Sequence, residues 1–79
     1  MTNARVEVFV EPFRENDPGP HVTASVGALR DAGLAPEMGP FATVAEGPLD
    51  QVIEAVADML RASFDSDAEA IQVRIERTG

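Results

Sequence analysis

The sequence contains no cysteine, no lysine and a single histidine, His21. Without cysteine there are no disulfide bonds, thiolate metal sites, iron–sulfur clusters or cysteine nucleophiles. One histidine also excludes a multi-histidine metal site within one chain. No apolar stretch reaches the roughly 18 residues that a membrane span needs, and no signal-peptide pattern is present. We therefore expect a soluble, cytoplasmic protein without a membrane partner.

Positive charge is scarce. Six arginines stand against fourteen aspartate and glutamate residues, which gives a net charge of −8. A nucleic-acid-binding surface is normally basic because it displaces counterions from phosphates, so we expect no nucleic-acid partner. An acidic surface is compatible with a cationic ligand, but it is equally compatible with a role in solubility alone.

Catalytic sequence motifs are missing as well. The chain has no Walker glycine loop, no GxSxG and no HExxH. Its carboxylates include no pair whose spacing indicates an acid–base couple. His21, at a predicted helix start, is more typical of a solvated or hydrogen-bonded surface residue than of a ligand contact. We therefore expect no catalytic residue, no cofactor and no metal site, and we interpret the chain as a binding or interaction protein rather than an enzyme.

What is present is the pattern of a small α+β domain. With 79 residues, 44% of them apolar, the sequence predicts one domain over residues 1–79. Four segments have the character of strands: Val6–Val10, Leu34–Met38, Phe41–Glu46 and Ile71–Ile75. Helical spacing predicts one helix over Pro20–Ala32, ended by Gly33, and a second helix that opens at Gly47-Pro48. The apolar stripe of the second helix runs through Leu49, Val52, Ile53, Val56, Leu60 and Phe64.

The element order is β-α-β-β-α-β with two amphipathic helices. This order predicts a ferredoxin-like fold, an antiparallel sheet of strand order 4-1-3-2 with both helices on one face. The apolar residues of the first and last strands would face the helices. The open face would carry Glu7, Phe9, Glu11, Gln72, Arg74 and Glu76. Such a face must meet water, a partner or a ligand.

The segment MGPFATVAEGPLDQ, residues 38–51, holds two further candidate residues. Thr43 and Glu46 are three residues apart on a strand, so their side chains point to opposite faces. If Val44 packs inward, Thr43 faces the open side and Glu46 points toward the start of the second helix. Glu46 would there either cap the helix N-terminus or contact a ligand.

Taken together, these segments resemble the small thiamine-binding proteins of the YkoF type, which have a ferredoxin-like fold. The resemblance covers about Val6–Ile75 and rests on VEVFVEPF, ALRDAGL, GPFAT and VAEGPLDQVIEAV. Characteristic positions of the family fall on Pro40, Phe41, Thr43, Glu46 and Gly47. Ala42 stands where glycine is common. The resemblance implies a homo-oligomer, dimer or tetramer, that binds thiamine or its hydroxymethylpyrimidine part and serves thiamine uptake or salvage.

A small cationic ligand such as thiamine needs an aromatic or apolar shelf, a carboxylate and neutral hydrogen-bonding groups. The candidate ligand-binding residues are Thr43, Glu46, Phe41, Glu11, Phe9, Met38 and Ser25. For Phe41 and Met38, a place in the core or in an oligomer interface competes with this role. A second hypothesis is an oligomeric interaction or regulatory domain without thiamine affinity, whose open sheet serves only as an interface.

Overall fold

A computed structural model describes residues 2–12, 19–39 and 42–79. In chain order its elements are β1 (Asn3–Glu11), α1 (Gly19–Asp31), β2 (Glu37–Met38), β3 (Thr43–Pro48), α2 (Leu49–Asp65) and β4 (Ala70–Arg77). The strands form one antiparallel sheet in the order β2-β3-β1-β4. The predicted ferredoxin-like topology and the strand order 4-1-3-2 are confirmed.

β1 is a central strand whose alternation sets the two faces of the sheet. Ala4, Val6, Val8 and Val10 are at most 5% exposed, while the residues between them are partly exposed. The buried side chains pack under the helices against a core that includes Leu29, Leu34, Val52 and Met59. The period-2 pattern of β1 therefore fixes which face of the sheet carries the helices.

α1 ends at Gly33, as the sequence predicts. The N–H of Gly33 donates to the Arg30 carbonyl at 2.9 Å, and the next N–H donates to the Leu29 carbonyl at 3.1 Å, the bond pair of a Schellman motif. Gly33 has a φ of +94°, a conformation that favours glycine. A Cβ there would lie 2.6 Å from Nε2 of Gln51, which donates to the Ala32 carbonyl. Gly33 thus ends α1, and its lack of a side chain leaves room for Gln51 of α2, which hydrogen-bonds the last turn of α1.

α2 turns most of its predicted apolar stripe to the core: Val52 and Val56 are buried, and Leu49 and Leu60 pack against the core. The fully buried residues of α2 include Ala55, Met59 and Ser63. By contrast, Ile53 is 49% exposed and Phe64 is 52% exposed. The reason is that α2 packs against α1 as well as against the sheet, and small side chains allow the closer approach. This packing leaves Ile53 and Phe64 turned toward the outside.

β4 is the edge strand that the helices cover least. Its apolar residues share the inner face with the valines of β1, because Ile71 lies opposite Val10, Val73 opposite Val8 and Ile75 opposite Val6. Val73 is nevertheless 36% exposed and Ile75 is 40% exposed. The predicted direction of these side chains is confirmed, but the helix layer does not bury them.

The β2–β3 hairpin differs from the predicted bounds. β2 contains only Glu37 and Met38, which follow Pro36, a residue without an N–H to donate. β3 runs from Thr43 to Pro48, where it pairs with Asn3 of β1. The prediction for Phe41 falls outside the described residues. Pairing with β1, which the local sequence does not encode, extends β3 beyond its predicted end.

Candidate functional site

Three of the predicted ligand-binding residues meet on the helix side of the sheet. Thr43 lies opposite Val8 and is 5% exposed, Met38 lies opposite Thr43, and Ser25 of α1 is 1% exposed. They border one opening between α1 and the β2–β3 hairpin, which we call the inner cleft. The inner cleft is lined by Val8, Val10, Val22, Ser25, Met38, Gly39, Ala42 and Thr43.

The predicted orientation of Thr43 and Glu46 is wrong. Thr43 and Ala45 point inward and are buried, so Val44 and Glu46 take the open face. The expectation depended on Val44 packing inward, and the small Ala45 occupies that inward place instead. Glu46 does not cap α2 either, because Pro48 holds the N-cap position and no side chain caps the helix there.

The polar side chains among the described lining residues of the inner cleft are two hydroxyls. The Ser25 hydroxyl donates to the Val22 carbonyl at 2.8 Å, which leaves its oxygen free to accept. The Thr43 hydroxyl lines the same cleft and can donate or accept. None of the described lining residues is ionisable. The inner cleft therefore offers one donor and several acceptor positions to a neutral, flat group.

The inner cleft is small. Its enclosed part measures about 10 Å³, roughly enough for one water molecule, and its volume including the open mouth is about 240 Å³. Sites for small molecules usually measure about 300–1,000 Å³. Met38 lies at the mouth with 49% of its surface exposed, and its unbranched side chain has three rotatable bonds.

Residues 40 and 41 link Gly39 to Ala42, two lining residues of the inner cleft. The N–H of Gly39 donates to the Ala42 carbonyl at 2.9 Å. Phe41, predicted as part of an apolar shelf, lies outside the described residues, so its contact with a ligand stays a prediction.

The remaining candidates lie on the open face of the sheet. Glu46 borders a shallow depression together with Arg5 and Glu37. Phe9 borders a second depression beside Gln72 and makes an interaction of its own within the chain. Glu11 is half-buried at the end of β1. The sheet separates all three candidates from the inner cleft, so the seven predicted residues do not form one site within one chain.

Two ion pairs lie on the open face. Arg5 forms an ion pair with Glu7, and Arg74 forms one with Glu76 at 2.8 Å. The hydrogen bond that Arg74 donates to Glu76, together with the negative charge of that carboxylate, raises the pKa of Arg74 above its ordinary value. Each of these two arginines neutralises one carboxylate of the open face, which also carries Glu11, Glu37 and Glu46.

Two other sequence features have structural roles. His21 is buried, 8% exposed, and hydrogen-bonds the Pro12 carbonyl through Nε2, so the expectation of a surface residue is wrong. Gly47 lies beneath Leu34, whose Cδ2 would be 2.9 Å from a Cβ at that position. Close packing therefore accounts for glycine there.

Val22 lines the inner cleft, but it is not among the site residues predicted from the sequence. An apolar residue that lines a cleft has the same sequence pattern as an apolar residue of the core.

Metal binding and membrane insertion find no support in the described ranges. No group of three or more histidine, aspartate and glutamate side chains in residues 2–12, 19–39 and 42–79 is placed to hold a metal ion. Over the same ranges, neither helix has the length and apolarity to cross a membrane.

A ferredoxin-like sheet with a neutral cleft under its first helix makes this chain a small α+β domain with a potential ligand site. Residues 6–77 match the family model described as "Thiamine-binding protein". The chain belongs to this thiamine-binding protein family. None of the curated proteins matches the sequence.

Solved structures of the same fold include a domain of unknown function, DUF77, from Bacillus cereus. It has 23% sequence identity and a TM-score of 0.72, with 100% of this chain and 78% of that chain covered. A Thermotoga maritima protein provisionally assigned to thiamine biosynthesis or salvage has 18% identity and a TM-score of 0.70, over 98% of this chain and 83% of that one. A Clostridium acetobutylicum aspartate kinase, an allosteric enzyme, has 10% identity and a TM-score of 0.54, with 99% of this chain and 20% of that chain covered. At these identities the likeness concerns the fold alone.

Proposed function

We propose that this protein binds thiamine, or its hydroxymethylpyrimidine part, in the inner cleft without transforming it chemically. The observation that carries the proposal is the convergence of Ser25, Met38 and Thr43 on one opening between α1 and the β2–β3 hairpin. Membership of the thiamine-binding protein family supports the ligand class. A role in thiamine uptake or salvage, in the cytoplasm, is part of the same proposal.

The aminopyrimidine ring is the part of thiamine that this lining suits best. The ring is flat and neutral, carries an amino donor and has ring nitrogens that accept. The Thr43 hydroxyl is positioned to donate to a ring nitrogen, and the Ser25 oxygen, whose proton is directed to Val22, is positioned to accept from the amino group. Val8 and Met38 would cover the faces of the ring. The cationic thiazolium would then extend toward the mouth of the cleft.

Thiamine diphosphate is a poorer match for the same lining. No arginine is among the described residues that line the inner cleft, and the chain carries a net charge of −8. A diphosphate would therefore meet repulsion without an arginine fork to offset it. Catalysis is not part of the proposal either, since the described lining residues include no group that could exchange a proton at neutral pH.

The alternative is an interaction or regulatory domain without thiamine affinity. The small enclosed volume of the inner cleft favours this alternative, as does the exposed apolar surface of β4. The two functions differ in one observable, because only a binding protein releases or absorbs heat when thiamine is added.

The test is isothermal titration calorimetry of the purified protein with thiamine, hydroxymethylpyrimidine and thiamine diphosphate. We expect micromolar or tighter binding of thiamine, comparable binding of hydroxymethylpyrimidine, and weaker binding of the diphosphate. If none of the three produces heat while the protein is folded by circular dichroism, the interaction-domain function replaces this proposal. Tighter binding of the diphosphate than of thiamine would contradict the neutral-ring assignment.

A further inference from the structure

The sulfur chemistry of this chain is limited to methionine, because the sequence holds three methionines and no cysteine. Met38 and Met59 lie in the described residues and have opposite environments. Met59 of α2 is 0% exposed in the core, whereas Met38 of β2 is 49% exposed. Oxidants convert an accessible methionine to its sulfoxide, which turns a flexible apolar side chain into a polar one. Of these two methionines, Met38 is therefore the one that an oxidant in solution reaches.

The exposure of Met38 follows from its place in the sheet. β2 contains only Glu37 and Met38, and it is an edge strand of the described sheet, where it pairs with β3. A side chain on an edge strand has a neighbouring strand on one side only, so it is covered less than a side chain of a central strand. The architecture of the sheet thus leaves the Met38 sulfur open to solvent.

Met38 also borders the inner cleft, because it lies directly opposite Thr43 in the β2–β3 pair. Directly opposite residues of an antiparallel pair project from the same face of the sheet, with Cβ atoms about 4.5–5.5 Å apart. Thr43 is 5% exposed, and both residues line the inner cleft. A chemical change at the Met38 sulfur therefore takes place within reach of the Thr43 hydroxyl, to which the proposed function assigns the hydrogen bond to a ring nitrogen.

Oxidation changes the hydrogen-bonding capacity of the Met38 side chain. A thioether sulfur accepts hydrogen bonds weakly, whereas a sulfoxide is polar and its oxygen accepts well. With hydrogen peroxide as the oxidant, one oxygen atom passes to the sulfur. The S–O bond forms, the O–O bond breaks, the sulfur loses two electrons and the peroxide is reduced to water.

Thr43 is the side-chain donor that the new oxygen meets. The described lining residues carry two hydroxyls, and that of Ser25 already donates its proton to the Val22 carbonyl at 2.8 Å. The Thr43 hydroxyl lies opposite Met38 and can donate. A sulfoxide oxygen at Met38 would therefore compete with a ligand nitrogen for the same proton.

We propose that Met38 is an oxidation-sensitive gate of the inner cleft. In the sulfoxide form its oxygen accepts a hydrogen bond from the Thr43 hydroxyl, which holds the side chain across the mouth and occupies the donor that the ligand uses. Ligand binding is thereby weakened. This loss of affinity rests on the proposed function, whereas the selective oxidation of Met38 rests on its exposure alone. Methionine sulfoxide reductases return a sulfoxide to the thioether, so the change is reversible.

The first test asks which methionine is oxidised in the folded protein. Hydrogen peroxide is added, and cleavage after glutamate then places the two methionines in different peptides, since Glu46 and Glu54 lie between them. Mass spectrometry is expected to show that Met38 is oxidised about 10-fold or more faster than Met59, because the core must open before Met59 reacts. In urea-unfolded protein the two rates should become similar, which controls for intrinsic reactivity. Equal rates in the folded protein would overturn the proposal.

The second test measures ligand affinity before and after a brief oxidation that leaves Met59 intact. In calorimetric titration with hydroxymethylpyrimidine, the oxidised protein is expected to bind about 10-fold more weakly than the untreated protein, the effect of one occupied hydrogen-bond donor. Met38→Leu has an apolar side chain of similar volume without sulfur, so its own affinity should not change on peroxide treatment. Thr43→Val removes the donor that the sulfoxide uses, so its affinity should fall less on oxidation than that of the wild type.

The outcomes separate the gate from the proposed function. If the untreated protein binds hydroxymethylpyrimidine and the Met38 sulfoxide form binds it equally well, the gate is wrong and the proposed function stands. If peroxide weakens binding in Met38→Leu as much as in the wild type, another residue causes the loss and the gate is wrong. An equal loss in Thr43→Val contradicts the hydrogen bond that closes the gate. If the untreated protein binds neither thiamine nor hydroxymethylpyrimidine, the gate and the proposed function both fail.

Discussion

Thr43 lies directly opposite Val8 in the β1–β3 pair, so its hydroxyl points under α1 and not onto the open sheet face. The position of Thr43 matters because the candidate ligand-binding residues divide between two surfaces, the open face of the sheet and the inner cleft. A site on the open face would use Glu46, Phe9 and Glu11. A site in the inner cleft uses Thr43, Ser25 and Met38, and the two sets are separated by the backbone of the sheet.

The first prediction concerns the Thr43 hydroxyl. Thr43→Val keeps the shape of the side chain and removes its hydrogen bond, so a ligand nitrogen in the cleft loses its donor. We expect thiamine and hydroxymethylpyrimidine to bind about 5- to 150-fold more weakly, which corresponds to about 1–3 kcal/mol. Calorimetric titration measures the change. Thr23→Val is the matched control, since Thr23 is exposed on α1 and does not line the inner cleft.

Thr23→Val should bind both ligands as the wild type does. If Thr43→Val also retains wild-type affinity, the ligand does not contact this hydroxyl, and the inner cleft loses its main polar anchor.

The second prediction concerns Glu46. Its side chain is exposed on the open face, opposite Arg5, so it has no route to the inner cleft of its own chain. Glu46→Gln is therefore expected to change thiamine affinity less than twofold by calorimetry. A large loss of affinity in Glu46→Gln, combined with none in Thr43→Val, would move the site to the open face.

How well the sequence predicts which side chains of a strand face the core depends on how regular the alternation of apolar and polar residues is in that strand. In β1 the alternation VEVFV is unambiguous, and both faces follow from it. In β3 the residues TVAEGP alternate weakly, and Val44, the largest apolar side chain, indicates the wrong phase. Ala45 takes the inward place under the closely packed helices. Only the register of β3 against β1 shows that Thr43 and Ala45 point inward, and therefore that Thr43 lines the inner cleft.

The partial exposure of Val73 and Ile75 on β4 could not be predicted from the sequence, for a related reason. The pattern of Val73 and Ile75 correctly assigns their direction. How far a helix layer reaches over the sheet depends on how closely α1 and α2 approach each other, which is a tertiary property. A strand that helices cover and a strand that stays partly exposed therefore have the same pattern in the sequence.

The third prediction concerns Ser63 of α2. Its hydroxyl is fully buried and, among the described residues, is the one buried side-chain polar atom without a hydrogen-bond partner. Ser63→Ala removes an unsatisfied group and introduces a better helix former. We expect the free energy of unfolding to rise by about 0.5–2 kcal/mol, measured by urea denaturation at a constant m-value.

Ser25→Ala is the comparison for this stability measurement, because the Ser25 hydroxyl is equally buried but bonds the Val22 carbonyl at 2.8 Å. Its gain should be smaller than that of Ser63→Ala, since a made hydrogen bond is lost. The reverse ranking would mean that the Ser63 hydroxyl is satisfied in solution.

The last prediction sets two glycines of one helix region against each other. Gly27 lies within α1, and a Cβ there would meet no atom within 4 Å. Gly33 has a φ of +94°, and a Cβ there would lie 2.6 Å from Nε2 of Gln51. Gly27→Ala is expected to raise the free energy of unfolding by about 0.5–1 kcal/mol through helix propensity. Gly33→Ala is expected to lower it by about 1–2 kcal/mol, the cost of a left-handed conformation, and further if Gln51 loses its bond to Ala32.

Urea denaturation of the two variants measures both effects in the same background. Because the substitution is identical, differences in side-chain volume and hydrophobicity cancel between them, and the sign depends on backbone conformation and local space. If Gly33→Ala leaves the free energy of unfolding unchanged, then neither the end of α1 nor the hydrogen bond between Gln51 and Ala32 requires glycine at position 33. If Gly27→Ala destabilises instead, α1 is packed more closely at that position than the open space around Gly27 indicates.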